Sequence, residues 1–291
     1  MQGQTGSAPE LYLLFGCPME KLLQGLREFQ ENYIPGREEL IQQLAKGQNP
    51  RVLFIGCSDS RVDPTIITQA EIGDLFVIRN AGNIIPPYEA TNGGEGATIE
   101  YAMEALDIGQ VIVCGHTQCG AMKGLLQIGS LEEKMPLVYN WLHHTEATRK
   151  LVEDHYSQLE KKDKLDLLVA QNVLTQIDNL QTYPSVRSKL HAGTLDIHGW
   201  IYQLETAQLL AYDEETKSFV PPHSKIEADQ KTAKVLKPGG LSRASSDTMQ
   251  PGAGAPSVAL PTFSEPAQPH WPGANRLSPE QAARIYGRAG V

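Results

Sequence analysis

The chain reads VLFIGCSDSR at residues 52–61 and VIVCGHTQCG at residues 111–120. Each segment opens with an apolar run, which is typical of a strand buried on both faces of a parallel sheet. Each then continues into polar and metal-binding side chains. Because open α/β folds place their sites where the carboxyl ends of parallel strands meet, we expect the two clusters to lie together.

Further strand and helix patterns alternate along the chain around these two segments. Additional strands are predicted at residues 75–78, 195–202 and 208–213, and helices at 94–106, 117–126, 136–156 and 164–183, with a short helix after the Asp63-Pro64 cap. This alternation predicts an α/β fold, in which helices flank a mostly parallel sheet of four to five strands.

Two amphipathic segments precede the first predicted strand. Leu22, Leu26 and Phe29 share one helical face within residues 19–29, and residues 38–45 repeat the pattern. Such faces need a surface to cover. That surface is either the flank of the same core or a second subunit, and these segments alone leave both interpretations open.

The composition argues against several classes of protein. The formal net charge is −9 and the pI is about 5.4, which disfavours nucleic-acid binding as the main activity. No apolar run approaches the ~18 residues of a transmembrane helix, and residues 1–9 lack the pattern of a signal peptide. Four cysteines are too few for a disulfide scaffold, so thiol ligands in the cytosol are expected.

A break in composition near Val220 divides the chain. Residues 220–291 have a net charge of +3 and hold ten of the 19 prolines, whereas residues 1–219 have a net charge of −12. We expect a catalytic domain over 1–219 and a flexible Pro-rich extension over 220–291, largely disordered when alone. Ser278 and Pro279 predict a short helix over 278–288 that folds on a partner, unless the cap is accidental.

Three side chains have the types and the spacing of a zinc site. Cys57 follows the first strand, while His116 and Cys119 follow the other. Zinc favours tetrahedral Cys and His ligands, and three protein ligands with an open fourth position are typical of catalytic zinc. Neither of two other cysteines is expected to close the shell, because Cys114 should point into a packed layer and Cys17 belongs to the N-terminal segment.

Asp59 lies two residues from Cys57 and two from Arg61, and two roles are open to it. It could be the fourth metal ligand. Alternatively, Arg61 holds it in a bidentate pair, which leaves it to accept a hydrogen bond from zinc-bound water. Zinc lowers the pKa of such water to about 7, so the expected reaction is attack of hydroxide on a small electrophile.

The motif Cys57-x-Asp59-x-Arg61, followed by His116-x-x-Cys119, resembles the β-class carbonic anhydrases. The resemblance covers most of residues 18–215. It implies one Zn²⁺ per subunit on the two cysteines and the histidine, with the carboxylate and the guanidinium as a dyad. It also implies reversible hydration of CO2 to bicarbonate and a proton.

The same resemblance implies a substrate pocket at a dimer interface. The positions that match the family's pocket are Gln48, Phe76, Ala81, Tyr101 and Gly120. Gln48 would hydrogen-bond the substrate and the two aromatic rings would line an apolar wall, with some of these groups supplied by the neighbouring subunit. Ala81 stands where plant-like members have valine, which leaves the pocket volume open. A homodimer or a higher dimer-based oligomer follows, with the N-terminal helices packed on the partner subunit.

Within the family, residues 114–123 and the long C-terminal extension resemble the carboxysomal enzymes of cyanobacteria. This implies a cytoplasmic enzyme inside the carboxysome that releases CO2 beside Rubisco, docked by its tail onto a carboxysome scaffold protein. Two alternatives remain: the same site could hydrolyse carbonyl sulfide or carbon disulfide, or the chain could be a silent scaffold subunit with a structural zinc. No nucleic-acid or membrane partner is expected.

Overall fold

A six-stranded β-sheet forms the centre of the computed structural model, which describes residues 18–90, 93–213 and 216–222. The strands are β1 Val52–Cys57, β2 Leu75–Asn80, β3 Gln110–His116, β4 Asp196–Gln203, β5 Gln208–Asp213 and β6 Ser218–Val220. Their order across the sheet is β2-β1-β3-β4-β5-β6. The first four strands are parallel, whereas β5 and β6 pair antiparallel. The prediction of a mostly parallel sheet in an α/β fold is confirmed.

Strands β1 and β3 lie side by side, and nearly every residue in them is buried. Their side chains face protein on both sides of the sheet, as their continuous apolar sequences predict. Because the two strands are parallel, their carboxyl ends reach the same edge. Cys57 ends β1 and His116 ends β3, so the topology brings both residues to one place.

Helices flank the sheet. The α-helices within the described ranges are α1 Pro18–Glu28, α2 Glu38–Leu44, α3 Pro64–Thr68, α4 Gly94–Glu104, α5 Gly120–Leu125, α6 Pro136–Leu142, α7 Glu146–His155, α8 Lys161–Leu180 and α9 Pro184–Ala192. The main core lies between one face of the sheet and helices α4 to α9. Helix α8 is central to it, because it packs on both β3 and β4.

Two strand glycines allow α8 to approach the sheet closely. A Cβ at Gly115 would lie 2.8 Å from Cγ2 of Val173, and a Cβ at Gly199 would lie 3.1 Å from Cγ1 of the same valine. A β-branched valine has little rotamer freedom in a helix, so neither contact relaxes easily. The helix therefore rests directly on the strand segment that precedes His116.

The opposite face of the sheet carries a smaller apolar cluster. Phe54, Ile112 and Cys114 are buried there, on the alternate side of β1 and β3 from the main core. The apolar face of α1 is exposed in the single chain, and Leu22 is 67% accessible. The exposed face of α1 suits the predicted packing on a partner subunit, which stays a prediction.

Three elements differ from the sequence-based expectation. The helix predicted over 136–156 is broken into α6, the 3₁₀ helix His143–Thr145 and α7. Helix α9 was not predicted, although Pro184 begins it and Gly193 ends it with a φ of 69°. Strand β6 raises the sheet to six strands, and its three residues are too few to show an alternating pattern.

Two other local predictions can be placed on the structure. The predicted cap of α3 is confirmed, because Oδ1 of Asp63 accepts hydrogen bonds from the backbone N–H groups of Thr65 and Ile66 at 3.0 and 3.1 Å. Strand β6 runs through Val220 and so crosses the boundary predicted between residues 219 and 220.

Several predictions fall outside the described residues. They are the position of Cys17 and the helix predicted over 278–288. Within the described ranges, every helix is too short or too polar to cross a membrane.

Candidate active site and metal centre

The three predicted metal ligands meet at the edge of the sheet. Cys57 comes from the end of β1, His116 from the end of β3, and Cys119 immediately precedes α5. One ligand atom from each residue lies within 4.8 Å of the others, and all three residues are buried. A tetrahedral metal ion needs donor atoms at about this mutual spacing, because Zn–S and Zn–N bonds are about 2.0–2.3 Å long.

The imidazole of His116 is oriented for coordination through Nε2. Its Nδ1 lies 2.8 Å from the carbonyl oxygen of Thr117, which can only accept a hydrogen bond, so Nδ1 carries the proton. The Nε2 lone pair is then free, and this buried atom has no hydrogen-bond partner among the described residues. A buried nitrogen without a partner costs about 1–3 kcal/mol, and a cation bound between the two thiols would supply the missing interaction.

The pKa values of Cys57 and Cys119 depend on each other. The interaction with the thiol of Cys119 lowers the pKa of Cys57, whereas the same interaction and burial raise the pKa of Cys119. The backbone N–H of Gly82 also donates to Sγ of Cys57 at 3.4 Å. One thiolate is favoured and a second is opposed by charge repulsion, which a divalent cation would relieve. The donor set therefore fits zinc.

Cys114 is separate from this cluster. It is fully buried in the apolar cluster on the other face of the sheet. Burial raises the pKa of its thiol to about 12, which keeps it protonated and unreactive. Cys57 and Cys119 belong to the main core on the opposite face, and the group of adjacent ligand atoms found among the described residues does not include Cys114.

Asp59 is paired with Arg61 rather than turned into the cluster. Its Oδ1 accepts from Nε of Arg61 at 2.9 Å and its Oδ2 accepts from Nη2 at 2.7 Å, which makes the pair bidentate. The guanidinium hydrogen bonds hold the pKa of Asp59 well below its usual range, so the carboxylate is ionised. Oδ2 is 3.8 Å from Nε2 of His116. Of the two roles left open, this arrangement favours a carboxylate beside the ligands over a fourth ligand.

Arg79, on β2, holds the loop that contains this dyad. Its Nε donates to the carbonyl of Cys57 at 3.0 Å, and its Nη2 donates to the carbonyl of Asp59 at 2.8 Å. Both contacts bind backbone rather than side chains. They therefore fix the path of the chain between the thiol ligand and the carboxylate without neutralising either group.

A buried polar network supports the segment around Gly82. Asn172 on α8 is 1% accessible and donates from Nδ2 to the carbonyl of Gly82 at 3.0 Å. Gln176, one turn later, accepts from the backbone N–H of Ile85 at 2.7 Å through Oε1 and donates to Oδ1 of Asn172. Helix α8 thus fixes the loop whose amide donates to Cys57.

Sequence reasoning missed this network. A signal for it exists, since two amides four residues apart interrupt the otherwise apolar face that Val169 and Val173 present to the sheet. Polar side chains on a buried helix face require partners. Here the partners are backbone groups more than 80 residues away along the chain, and no local pattern identifies them.

The predicted pocket residues are distributed around the edge of the sheet. The rings of Phe76 and Tyr101 lie 6.0 Å apart between centroids, on edge strand β2 and on α4. Tyr101 is 48% accessible in the single chain. Gln48, Ala81 and Gly120 are exposed. The assignment of these five residues to a substrate site stays a prediction.

The pattern of a known family covers this site. The sequence pattern described as carbonic anhydrase matches residues 52–209, more than half of the chain. That range contains the three ligands and the dyad. The chain therefore belongs to the carbonic anhydrase family, and its parallel sheet with a Cys-His-Cys cluster places it in the β class.

Individual relatives extend the match. The chain is 54% identical over 270 residues to a carbonic anhydrase of Synechocystis sp., covering 92% of this chain and 98% of the relative. It is 61% identical to the solved β-carbonic anhydrase CcaA, with a TM-score of 0.70 over 71% of this chain and 100% of that chain. One of two tetrameric β-carbonic anhydrases from Sordaria macrospora aligns at 27% identity and a TM-score of 0.59, over 66% of this chain and 95% of that chain.

These findings confirm the predicted class and activity. The chain is a β-carbonic anhydrase and catalyses the hydration of CO2. The alternative of a silent scaffold subunit is not supported.

Replacing Arg61 with alanine should lower the free energy of unfolding only slightly at pH 7, because the guanidinium is exposed and solvent screens its ion pair with Asp59. The pair lowers the folded-state pKa of Asp59. Its stabilisation is therefore present above the ordinary aspartate pKa of about 3.9 and is lost as the pH falls through the lowered folded value. Urea unfolding with a chelator present, at pH 7 and at successively lower pH, measures the difference between wild type and variant.

The control is Arg61→Lys, which keeps the charge without the planar fork and should lie between the two. A difference between wild type and Arg61→Ala that stays constant as the pH falls to about 2 would contradict a depressed pKa for Asp59.

Proposed function

We propose that Cys57, His116 and Cys119 bind one zinc ion per subunit and leave a fourth coordination position open for catalysis. The observation that carries this proposal is the unpartnered Nε2 of His116, which lies buried beside two thiols. The bidentate pair with Arg61 keeps the carboxylate of Asp59 away from the role of fourth ligand.

The chemistry of the reaction follows from this arrangement. Bound zinc supplies a nucleophile at neutral pH by lowering the pKa of water to about 7. Asp59, ionised and immobilised by Arg61, accepts a hydrogen bond from the attacking water and orients its lone pair toward CO2. The carboxylate has two oxygens and both are paired with Arg61, so its direction is set before substrate arrives.

The substrate pocket is completed by a second copy of the chain in this proposal. Phe76 and Tyr101 form an aromatic patch at the β2 edge, and Val77 beside them is 40% accessible. Apolar groups at a sheet edge favour contact with another protein surface. Gln48, Ala81 and Gly120 complete the pocket, with Gln48 as a hydrogen-bonding group for the substrate.

The apolar face of α1 supports the same dimer. Its residues Leu22, Leu23 and Leu26 are exposed, and a homodimer would cover them. The tetrameric relatives from Sordaria macrospora are consistent with a dimer or a larger assembly built from dimers.

We further propose that the enzyme works inside the carboxysome and releases CO2 from bicarbonate for Rubisco. The support is the match to the cyanobacterial relative. Residues 1–219 alone cannot account for an alignment over 92% of the chain, so the similarity extends into the C-terminal segment. The basic, Pro-rich composition of residues 220–291 and the helix predicted there over 278–288 suit docking onto a scaffold protein.

Replacing Cys57 with serine should abolish zinc binding and CO2 hydration together, because a hydroxyl is a poor ligand for zinc and the remaining pair cannot hold the ion. Zinc per subunit by mass spectrometry and hydration by stopped-flow acidification measure the two effects.

The matched control is Cys114→Ser. This cysteine is equally buried but lies on the other face of the sheet, so zinc should be retained even if stability falls. Asp59→Ala should also keep zinc while lowering turnover by about 10²-fold or more, as expected for loss of a group that acts only in the reaction. Zinc retained at wild-type level in Cys57→Ser would refute the proposed ligand set.

The dimer proposal predicts complementation between two defective subunits. Cys57→Ser lacks the metal site, and Tyr101→Ala should lower kcat/KM by about tenfold or more through loss of the apolar wall. The two variants are co-expressed with different tags, and the hybrid dimers are purified. In a hybrid, the Tyr101→Ala subunit supplies the metal site and the Cys57→Ser subunit supplies the intact Tyr101. Turnover per bound zinc should then return to within about twofold of wild type.

Tyr88→Ala provides the control, because Tyr88 is similarly exposed but packs on Tyr183 away from Phe76. Hybrids that remain as slow as Tyr101→Ala alone would mean that Tyr101 does not serve the partner's site.

Removing the C-terminal extension should abolish localisation to the carboxysome without affecting catalysis. The truncation is placed after Pro222, because Val220 pairs with Ala211 in the sheet and a cut at 219 would remove part of β6. Zinc content and hydration should be unchanged, while a fluorescent fusion in carboxysome-forming cells should change from foci that coincide with Rubisco to a diffuse signal. A fusion of residues 223–291 alone provides the reciprocal test, and a truncated enzyme that still forms these foci would refute the docking role.

A further inference from the structure

The segment that spaces two of the ligands is short and strained. Only Thr117 and Gln118 separate His116 from Cys119, and Gln118 adopts a φ of 57°. Residues other than glycine rarely adopt this left-handed conformation, and it persists only where surrounding contacts enforce it. The contacts of these two residues therefore help to determine where both ligands lie.

The main side-chain contact to this segment comes from Glu205. This residue lies in the turn between β4 and β5, 88 positions from Thr117. Its Oε2 accepts from Oγ1 of Thr117 at 2.6 Å, and its Oε1 accepts from Nε2 of Gln118 at 3.3 Å. One carboxylate thus binds both residues between the ligands. The hydrogen bond from Thr117 lowers the pKa of Glu205, so the group is ionised at neutral pH.

The remaining groups of Thr117 connect this contact to the metal site. Its hydroxyl oxygen accepts from the backbone N–H of Leu204 at 2.9 Å, and its own N–H donates to the carbonyl of Tyr202 at 3.0 Å. Its carbonyl accepts from Nδ1 of His116. The residue that Glu205 holds is therefore the one that sets the tautomer and the orientation of the histidine ring.

Gln118 is held from its other side as well. Nζ of Lys123, on α5, donates to Oε1 of Gln118 at 2.9 Å. The amide side chain is therefore fixed between a cation and the carboxylate of Glu205. This arrangement accounts for the left-handed backbone at Gln118 and for the position of Cys119, which follows it directly.

From these contacts we propose that Glu205 is a positioning residue that pre-organises His116 and Cys119 for metal binding. It does not touch the metal ligands itself and acts through Thr117 and Gln118. The inference rests on the proposed zinc site and adds to it a group that supports the ligand loop. Groups that orient metal ligands in this way typically change metal affinity by about 10–100-fold when removed.

The alternative is that Glu205 only stabilises the turn between β4 and β5. Thr206, the next residue, allows the two roles to be separated. Its hydroxyl donates to Oε1 of Gln203 at 3.3 Å, so this hydrogen bond lies within the turn. Thr206→Ala therefore perturbs the turn while leaving Thr117 and Gln118 in place.

The experiment compares Glu205→Ala, Glu205→Gln and Thr206→Ala in the full-length enzyme. Zinc affinity is measured by competition with a chromophoric chelator, and the Co²⁺-substituted proteins are compared by their thiolate-to-metal charge-transfer absorption. We expect Glu205→Ala to bind zinc about 10–100-fold more weakly and to shift the Co²⁺ spectrum. Thr206→Ala should match wild type in both, and Glu205→Gln, which still accepts from Thr117, should lie between.

A double variant adds a test of the route. If Glu205 acts in part through Thr117, then Thr117→Val combined with Glu205→Ala should weaken zinc binding by less than the two single losses together, because both variants remove the same hydrogen bond. Fully additive losses would overturn the proposal, as would a Glu205→Ala enzyme with wild-type zinc affinity and Co²⁺ spectrum. Equal losses in Thr206→Ala would assign the effect to the turn and also overturn it. Absence of zinc binding in the wild type would instead refute the metal site.

Discussion

The unpartnered Nε2 of His116 is the group on which the rest of the site depends. Burying a polar nitrogen without a partner is unfavourable by about 1–3 kcal/mol, and here the atom is enclosed by protein with two thiols as neighbours. The carbonyl of Thr117 determines which nitrogen is left free. The lone pair of this nitrogen is thereby available beside the two thiols, as coordination of a cation requires.

Hydrogen bonds from neighbouring elements hold the backbone segments around this nitrogen. Helix α8 supports the Gly82 segment through Asn172, and the Gly82 amide contacts the sulfur of Cys57. Arg79 fixes the backbone on either side of Asp59. Hydrogen bonds from Asn172 and Arg79 thus hold the backbone around the site. The apolar residues of β1 and β3 set the distance between the two strand ends.

The fold and the ligand set could be predicted because their signals are local. Continuous apolar runs identified β1 and β3, and their parallel arrangement brought Cys57 and His116 to one edge. Asn172, Gln176 and Glu205 could not be found in this way, because their partners are distant in the chain. Helix α9 was not predicted for a different reason. Its sequence has a low amphipathic contrast, and only its terminal proline and glycine mark it.

The hydrogen bond from Gly82 to Cys57 has a consequence for how such an enzyme can diverge. The donor is a main-chain amide, so no exchange of side chains removes it, with proline as the one exception. Substitution of Gly82 itself is also disfavoured. A Cβ at this position would lie 3.0 Å from side-chain atoms of Ala121 and Met122, and residues other than glycine rarely adopt a φ of 84°. The hydrogen bond to the sulfur of Cys57 is therefore kept when the side chains around it change. We expect the reactivity of the thiolate to change through residues that move the whole loop.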